Sequence, residues 1–342
     1  MAMREDLVSQ TIALDLMGGE HAPESNIGGA IRVLEEGVSI HAFGTHEAVN
    51  SLLKRYSEPN LEVTVCTQTI DDHEPPLLAI RQKEDSPIYQ GLVAVKEGRA
   101  GAFVSAGSTG ALVAGGVVIL GRAKGVDKPC MGQVLPTADR KGVFFVDLGA
   151  SSDARPGTLV QFAILGRVYA TEVLGWKDPS VRLLNIGVES EKGNALYRKA
   201  HALMKQTVPG FDGNIEARDV FSGKAQVIVA DGFTGNVFLK ACEGTSEFLL
   251  HAMKHETTST YVRRAAAGVL RSAFSDVMAQ MDYTAYGGAP LLGLTGCVIK
   301  CHGSSNQEAI ANGIGQAGAF LEKDVASLLI RSVSESAKEG EL

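Results

Sequence analysis

The chain is 342 residues long, enough for one large α/β domain or two smaller ones, and its 45% hydrophobic and 21% charged residues exclude wholesale disorder. A formal net charge of -7 excludes a dedicated nucleic-acid binder, which needs a basic footprint to displace counterions. No apolar run approaches the length of a membrane span, and the opening residues MAMREDLVSQ lack the apolar core of a secretion signal, so the sequence predicts a soluble cytoplasmic protein.

Short apolar runs rich in β-formers stand at 11–16, 39–43, 62–66, 102–105, 143–147, 182–186, 226–230 and 297–300, and each reads as a buried strand. Amphipathic stretches at 24–36, 109–121, 161–176 and 191–206 are long enough to be crossover helices. Strands alternating with helices predict a mainly parallel sheet with helices on both faces, in which ligands bind beyond the carboxyl ends of the strands. One continuous body is expected over 9–333, with polar tails at 1–8 and 334–342. The cysteines Cys66, Cys130, Cys242, Cys297 and Cys301 are odd in number and form no C-x-x-C pair, so free thiols are expected.

The residues after these runs carry the chemistry. The first strand end leads to His21, which reads either as a satisfied core histidine or as a proton carrier. After the run at 102–105 come Ser105, Gly107, Ser108, Thr109 and Gly110, where free backbone N–H groups and hydroxyls at a helix start suit an anion; the plain reading is a glycine-rich turn with Ser108 as an N-cap. Lys192, close to Glu189 and Glu191, is either an exposed helix start or a further phosphate donor. Asp231, Asn236 and Lys240 follow the run at 226–230, and such donors suit a phosphate or thioester; singly, each is more often a turn or solvated residue. His302 ends the last run and opens another helix.

Other signals lack their required context. The G-x-G-x-x-G match at 313–318 lies inside a helical pattern with no strand before it, so it reads as a close helix-packing face. His251 and His255 are one helical turn apart, but Ala252 stands where a zinc protease has glutamate. Gly223-Lys224 lacks the rest of a P-loop. Between 261 and 281, Val262, Val269, Leu270, Phe274 and Val277 fall at helical spacing, edged by Arg263, Arg264 and Arg271. Such a helix suits a lipid surface or an acidic partner, and equally a core or dimer interface.

Taken together, the stretches DLMGGEHAPE (15–24), VSAGSTGAL (104–112), LLNIGVESEKGN (183–194), GNIEARDVF (213–221), ADGFTGNV (230–237), YGGAPLLGL (286–294) and HGSS (302–305) resemble the phosphate acyltransferase family called PlsX. Glu20 departs from the aspartate usual there, and Ala150-Ser151 from Ala-Asn. The resemblance implies acyl transfer from acyl-acyl-carrier-protein to inorganic phosphate for phospholipid synthesis, a homodimer, no cofactor or metal, and peripheral membrane contact. A fainter similarity to phosphotransacetylases implies the isocitrate and isopropylmalate dehydrogenase fold, with a protruding helical segment near 255–285. An acyl thioester meeting phosphate needs an anion cradle, oxyanion donors and proton movement, so His21, Asp231, Asn236, Lys240 and His302 are expected in catalysis and Ser105, Gly107, Ser108, Thr109, Gly110 and Lys192 in phosphate binding; the local excess of positive charge and the apolar face make Arg263, Arg264, Arg271, Val269 and Phe274 the expected docking surface. The alternatives are an NAD- and metal-dependent dehydrogenase of the same fold and a non-catalytic lipid-binding protein.

Overall fold

A computed structural model describes residues 11–281 and 287–338, with the side chains of 279–281 and 334–338 left aside. The predicted tail at 1–8 and residues 282–285 of the predicted protruding segment lie outside the described residues, as do 339–342 of the second tail.

Eleven strands form one sheet: β1 (Ile12–Asp15), β2 (Ile40–Gly44), β3 (Leu61–Val65), β4 (Ala102–Ser105), β5 (Cys130–Leu135), β6 (Val143–Val146), β7 (Val181–Asn185), β8 (Phe211–Glu216), β9 (Val227–Val229), β10 (Ala289–Leu292) and β11 (Cys297–Lys300). Their spatial order is β3-β2-β1-β4-β11-β10-β5-β6-β9-β7-β8. All eight predicted runs form strands, and the sequence reading missed β5, β8 and β10. The sheet is mostly parallel, but β10 pairs antiparallel with both β11 and β5, and β5 pairs antiparallel with β6. Three reversals in the middle make the two parallel flanks run in opposite senses.

Strand residues alternate between two apolar cores. Ile12, Leu14, Val104, Phe144 and Val146 enter one, while Ala13, Phe103, Val143 and Phe145 enter the other. Burial on both faces is what a parallel sheet with helices on each side requires, and it explains why these strands read as unbroken apolar runs.

The helices are α1 (Glu24–Glu35), α2 (His46–Arg55), α3 (Pro76–Gln82), α4 (Pro87–Lys96), α5 (Thr109–Gly115), α6 (Pro156–Glu172), α7 (Ala195–Thr207), α8 (Gly232–Thr258), α9 (Tyr261–Val269), α10 (Arg271–Met281), α11 (Gln307–Glu322) and α12 (Val325–Lys338). Helix α12 runs through the start of the predicted second tail. The motif at 313–318 lies within α11 as expected. An added Cβ at Gly313 would stand 2.5 Å from Cys301 Sγ, so that glycine allows the helix to lie close against the end of β11.

The long helix α8 begins at the sheet, with Gly232, Gly235 and Leu239 buried, and buries no residue beyond Leu239. Thr260 then caps α9, its hydroxyl accepting the Arg263 N–H. The predicted continuous helix over 261–281 is therefore two helices, α9 and α10, with Leu270 between them. Helix α9 buries nothing, and Val269 is 83% exposed. Arg263 and Arg264 are exposed; Arg263 pairs with Glu256, and Arg264 lies 5.9 Å from the centre of the Tyr261 ring. No helix among the described residues is long and apolar enough to cross a membrane.

Candidate active site

A cavity of about 430 Å³ lies where the two flanks of the sheet meet. Its walls include Gly107, Thr109 and Gly110 after β4, Met131 and Gln133 of β5, Gly149 after β6, Asn236, Lys240 and Glu243 of α8, and Lys300 and His302 at the end of β11. That volume is within the usual range for a small-molecule site.

The turn after β4 is set by buried polar contacts. Ser105 donates its hydroxyl to Asp15 Oδ2 at 2.7 Å and accepts the Gly107 N–H at 2.9 Å. Ser108 caps α5 by accepting the Ala111 N–H. Both serine side chains are thus engaged in holding the turn, and neither lines the cavity, whereas Gly107, Thr109 and Gly110 do. Burial pushes the Asp15 carboxyl above its ordinary pKa, and the bonds from Ser105 and Met17 pull the other way. Glycine at 18 lets the β1 loop touch this turn, since a Cβ there would stand 2.3 Å from Gly107 N.

Asp147 braces the other wall. It accepts backbone N–H bonds from Met131, Gly149, Ala150 and Ser151 at 2.8–3.1 Å. Burial raises its pKa, while these four donors favour the charged form. The loop so fixed carries Gly149, which lies against the Asn236 side chain.

Helix α8 presents Asn236, Lys240 and Glu243 at i, i+4 and i+7, one face of a helix. Lys240 Nζ is 2.7 Å from Glu243 Oε2, and His302 Nε2 is 3.6 Å from Glu243 Oε1. The His302 contact, followed by Lys240, holds the Glu243 carboxyl below its ordinary pKa against the opposing effect of burial. His302 Nδ1 lies 2.8 Å from the Ser304 hydroxyl and 3.2 Å from the Ser304 backbone nitrogen, contacts that orient the ring with Nε2 toward Glu243.

Of the predicted catalytic residues, Asn236, Lys240 and His302 come together here; His21 and Asp231 do not line the cavity. His21 is exposed in the turn before α1, where the neighbouring Glu20 faces the site and donates its N–H to Gly303 O at 2.7 Å. Asp231 is the buried N-cap of α8, accepting from Thr234 N at 2.9 Å and from the Tyr197 hydroxyl at 2.5 Å. Lys192, in the loop after β7, does not line the cavity either; β7 lies two strands beyond β6. Sequence reasoning missed Gln133, Glu243 and Lys300. Glu243 was detectable by helical spacing from Asn236 and Lys240, and Lys300 as a lysine ending an otherwise apolar strand.

The "Fatty acid synthesis protein" family model matches residues 10–328. A phosphate acyltransferase of Lysinibacillus sphaericus is 43% identical over 324 residues, covering 94% of this chain and 98% of its own length. One from Alkaliphilus oremlandii is 41% identical, covering 94% and 97%. Among solved structures, a phosphotransacetylase from Streptococcus pyogenes aligns with a TM-score of 0.63 at 16% identity, covering 94% of this chain and 97% of that one, a likeness of fold. By its match along nearly the whole length to these relatives and to the family model, the chain belongs to the phosphate acyltransferase (PlsX) family.

Proposed function

We propose that this acyltransferase takes the acyl group of an acyl-acyl-carrier-protein thioester and passes it directly to inorganic phosphate. The observation that carries this reading is the meeting of Gly107, Thr109, Gly110, Asn236, Lys240 and His302 on one cavity. A phosphate oxygen attacks the thioester carbonyl; the new C–O bond forms, the C–S bond breaks, and the carrier thiolate leaves. Gly107, Thr109, Gly110 and Lys240 hold the anion, and Asn236 faces the oxyanion of the tetrahedral intermediate. Lys240 is paired with Glu243, so phosphate competes with that carboxylate for the ammonium. His302, oriented by Glu243 and Ser304, serves proton movement rather than His21, which does not line the cavity. A thiol leaving group with a pKa of about 8.5 needs little protonation. Incubation with acyl-carrier thioester and labelled phosphate should yield labelled acyl phosphate and free carrier in equal amounts; thioester hydrolysis without acyl phosphate would refute the reading.

Phosphate serves as the nucleophile without a covalent acyl-cysteine. Cys301 lines the cavity, yet burial pushes its thiol up to about 12, and a thiol so protonated is a poor nucleophile at neutral pH. Cys301→Ser should therefore keep kcat within about threefold of wild type. An acylated Cys301 peptide trapped during turnover would refute direct transfer.

The helices α9 and α10 supply the docking surface, and together with the exposed part of α8 correspond to the protruding segment of an isocitrate dehydrogenase-like fold. Lys254, Arg263, Arg264 and Arg271 face a single carboxylate, Glu256, between 251 and 275, which reverses locally the net charge of -7. An acidic carrier protein fits that reversal. Val269 and the half-buried Phe274 belong to an apolar side suited to a membrane surface or to the second subunit of a homodimer. Changing Arg263, Arg264 and Arg271 together to Glu should raise the KM for the acyl-carrier roughly tenfold at low salt, an effect that shrinks with added salt, with little change in Tm. Unchanged carrier kinetics would remove this surface from the docking site. Val269→Asp with Phe274→Asp should abolish vesicle binding and leave the dimer if the face meets lipid, or split the dimer if it is subunit-facing.

A further inference from the structure

We propose that Lys300 is a second phosphate-binding cation, its ammonium held beside the Gly107 turn by the Ala106 carbonyl and directed at the anion that enters the cavity. The assignment rests on the phosphate acyltransferase reading of this cavity and adds a residue to it.

The sheet fixes the position. Strand β11 runs parallel to β4 with Lys300 opposite Ser105, so the last residue of β11 is delivered to the start of the glycine turn. Lys300 Nζ donates to Ala106 O at 2.9 Å, one residue before Gly107. An ammonium has three N–H donors, and this contact uses one, leaving two for a ligand in the cavity that Lys300 lines. A purely structural tether between β4 and β11 has no need of a cation at this point, since the backbone already joins them: Cys301 N–H donates to Ser105 O at 2.9 Å.

The surroundings suit a site that is filled by an anion in its working state. Asp15 and Asp72 act on Lys300 through space, and Lys240 opposes them. Asp15 is occupied by Ser105 and by the Met17 N–H at 2.8 Å. Burial lowers the Lys300 pKa to about 8, so a neighbouring anion restores the full charge, and the ammonium binds phosphate more strongly than an exposed lysine would. Lys240, on an exposed side chain already paired with Glu243, and Lys300, anchored to the turn, then approach the phosphate from different elements.

Lys300→Met keeps the length of the side chain and removes the charge. It should raise the KM for phosphate roughly tenfold or more, the scale of a lost charge-assisted hydrogen bond, with the KM for acyl-carrier within about twofold. Lys300→Arg should recover part of the phosphate affinity. A second measurement needs no variant: in wild-type enzyme, inorganic phosphate should slow acetylation of Lys300 by acetic anhydride several-fold, read by peptide mass spectrometry, while the exposed Lys199 keeps its rate. A folded Lys300→Met variant with wild-type phosphate KM, or Lys300 acetylation indifferent to phosphate, would overturn the assignment. Failure of wild-type enzyme to form acyl phosphate would overturn only the parent reading, because the labelling reads phosphate at Lys300 without turnover.

Discussion

Replacing Asn236 with alanine is expected to lower kcat by roughly 10²- to 10³-fold while the KM for phosphate stays near wild type, the pattern left when a donor to a developing oxyanion is removed. The position argues for this role. Asn236 stands on the cavity face of α8, one turn before Lys240, and its side chain rests against Gly149 in the loop that Asp147 braces. A donor held by a capped helix and a hydrogen-bonded loop is preorganised, so it needs no rearrangement when charge appears on the thioester oxygen. Asn236→Asp is the sharper test, since it keeps the shape and replaces the amide donor with an anionic acceptor. It should be at least as damaging as alanine. If Asn236→Ala retains kcat within about threefold, the oxyanion is met by backbone N–H groups and Asn236 is a packing residue.

Gly235→Ala should produce the largest loss of stability of any alanine substitution at a glycine of α8. The added Cβ would stand 1.9 Å from the Asp147 carbonyl oxygen and 3.3 Å from the Phe145 ring, so the start of α8 or the end of β6 must move. Overpacking of this kind costs about 3 kcal/mol, corresponding to a fall in Tm of roughly 5 °C. Activity should fall with it, because Asn236 is the next residue. Gly244 is the matched control: it lies in the same helix with no atom within 4 Å of an added Cβ. Gly244→Ala should stabilise by up to about 1 kcal/mol, the helix-propensity difference between the two residues. Opposite signs at 235 and 244, measured by thermal or urea unfolding, would establish that the close approach of α8 to β6 governs the response. Equal effects would refute it.

Much of this architecture was legible because its strands are buried on both faces and therefore apolar throughout. Strands β5, β8 and β10 escaped for separate reasons. In β5, Gly132 and Gln133 interrupt the apolar pattern, and Gly132 is there because a Cβ would stand 2.2 Å from the Phe144 ring. In β8, an edge strand, the sequence FDGNIE has the polar character of a turn. In β10, Pro290 follows a pair of glycines and argues for a loop. Reading the residues after each strand brought the glycine turn, Asn236, Lys240 and His302 into view, and these line one cavity. That reading could not separate residues that face the cavity from those that hold its walls: Ser105, Ser108 and Asp231 have ligand-like chemistry but complete their hydrogen bonds within the scaffold. Lys192, in the loop after β7, also does not line the cavity, and nothing in its sequence context shows that.

The order of the strands bears on synthesis of the protein. The last two strands to be made, β10 and β11, occupy the middle of the sheet, between β4 and β5. A ribosome-bound chain that has not yet emitted residue 289 can assemble β3-β2-β1-β4 and β5-β6-β9-β7-β8 only as separate half-sheets, with the inner edges of β4 and β5 unpaired. Open edges of apolar strands invite pairing with other chains, and closing them requires contacts spanning nearly 200 residues, from Ala102 to Cys297. Release of the C-terminal segment is therefore the step that joins the halves, and chains truncated before it should accumulate as aggregates or as clients of chaperones.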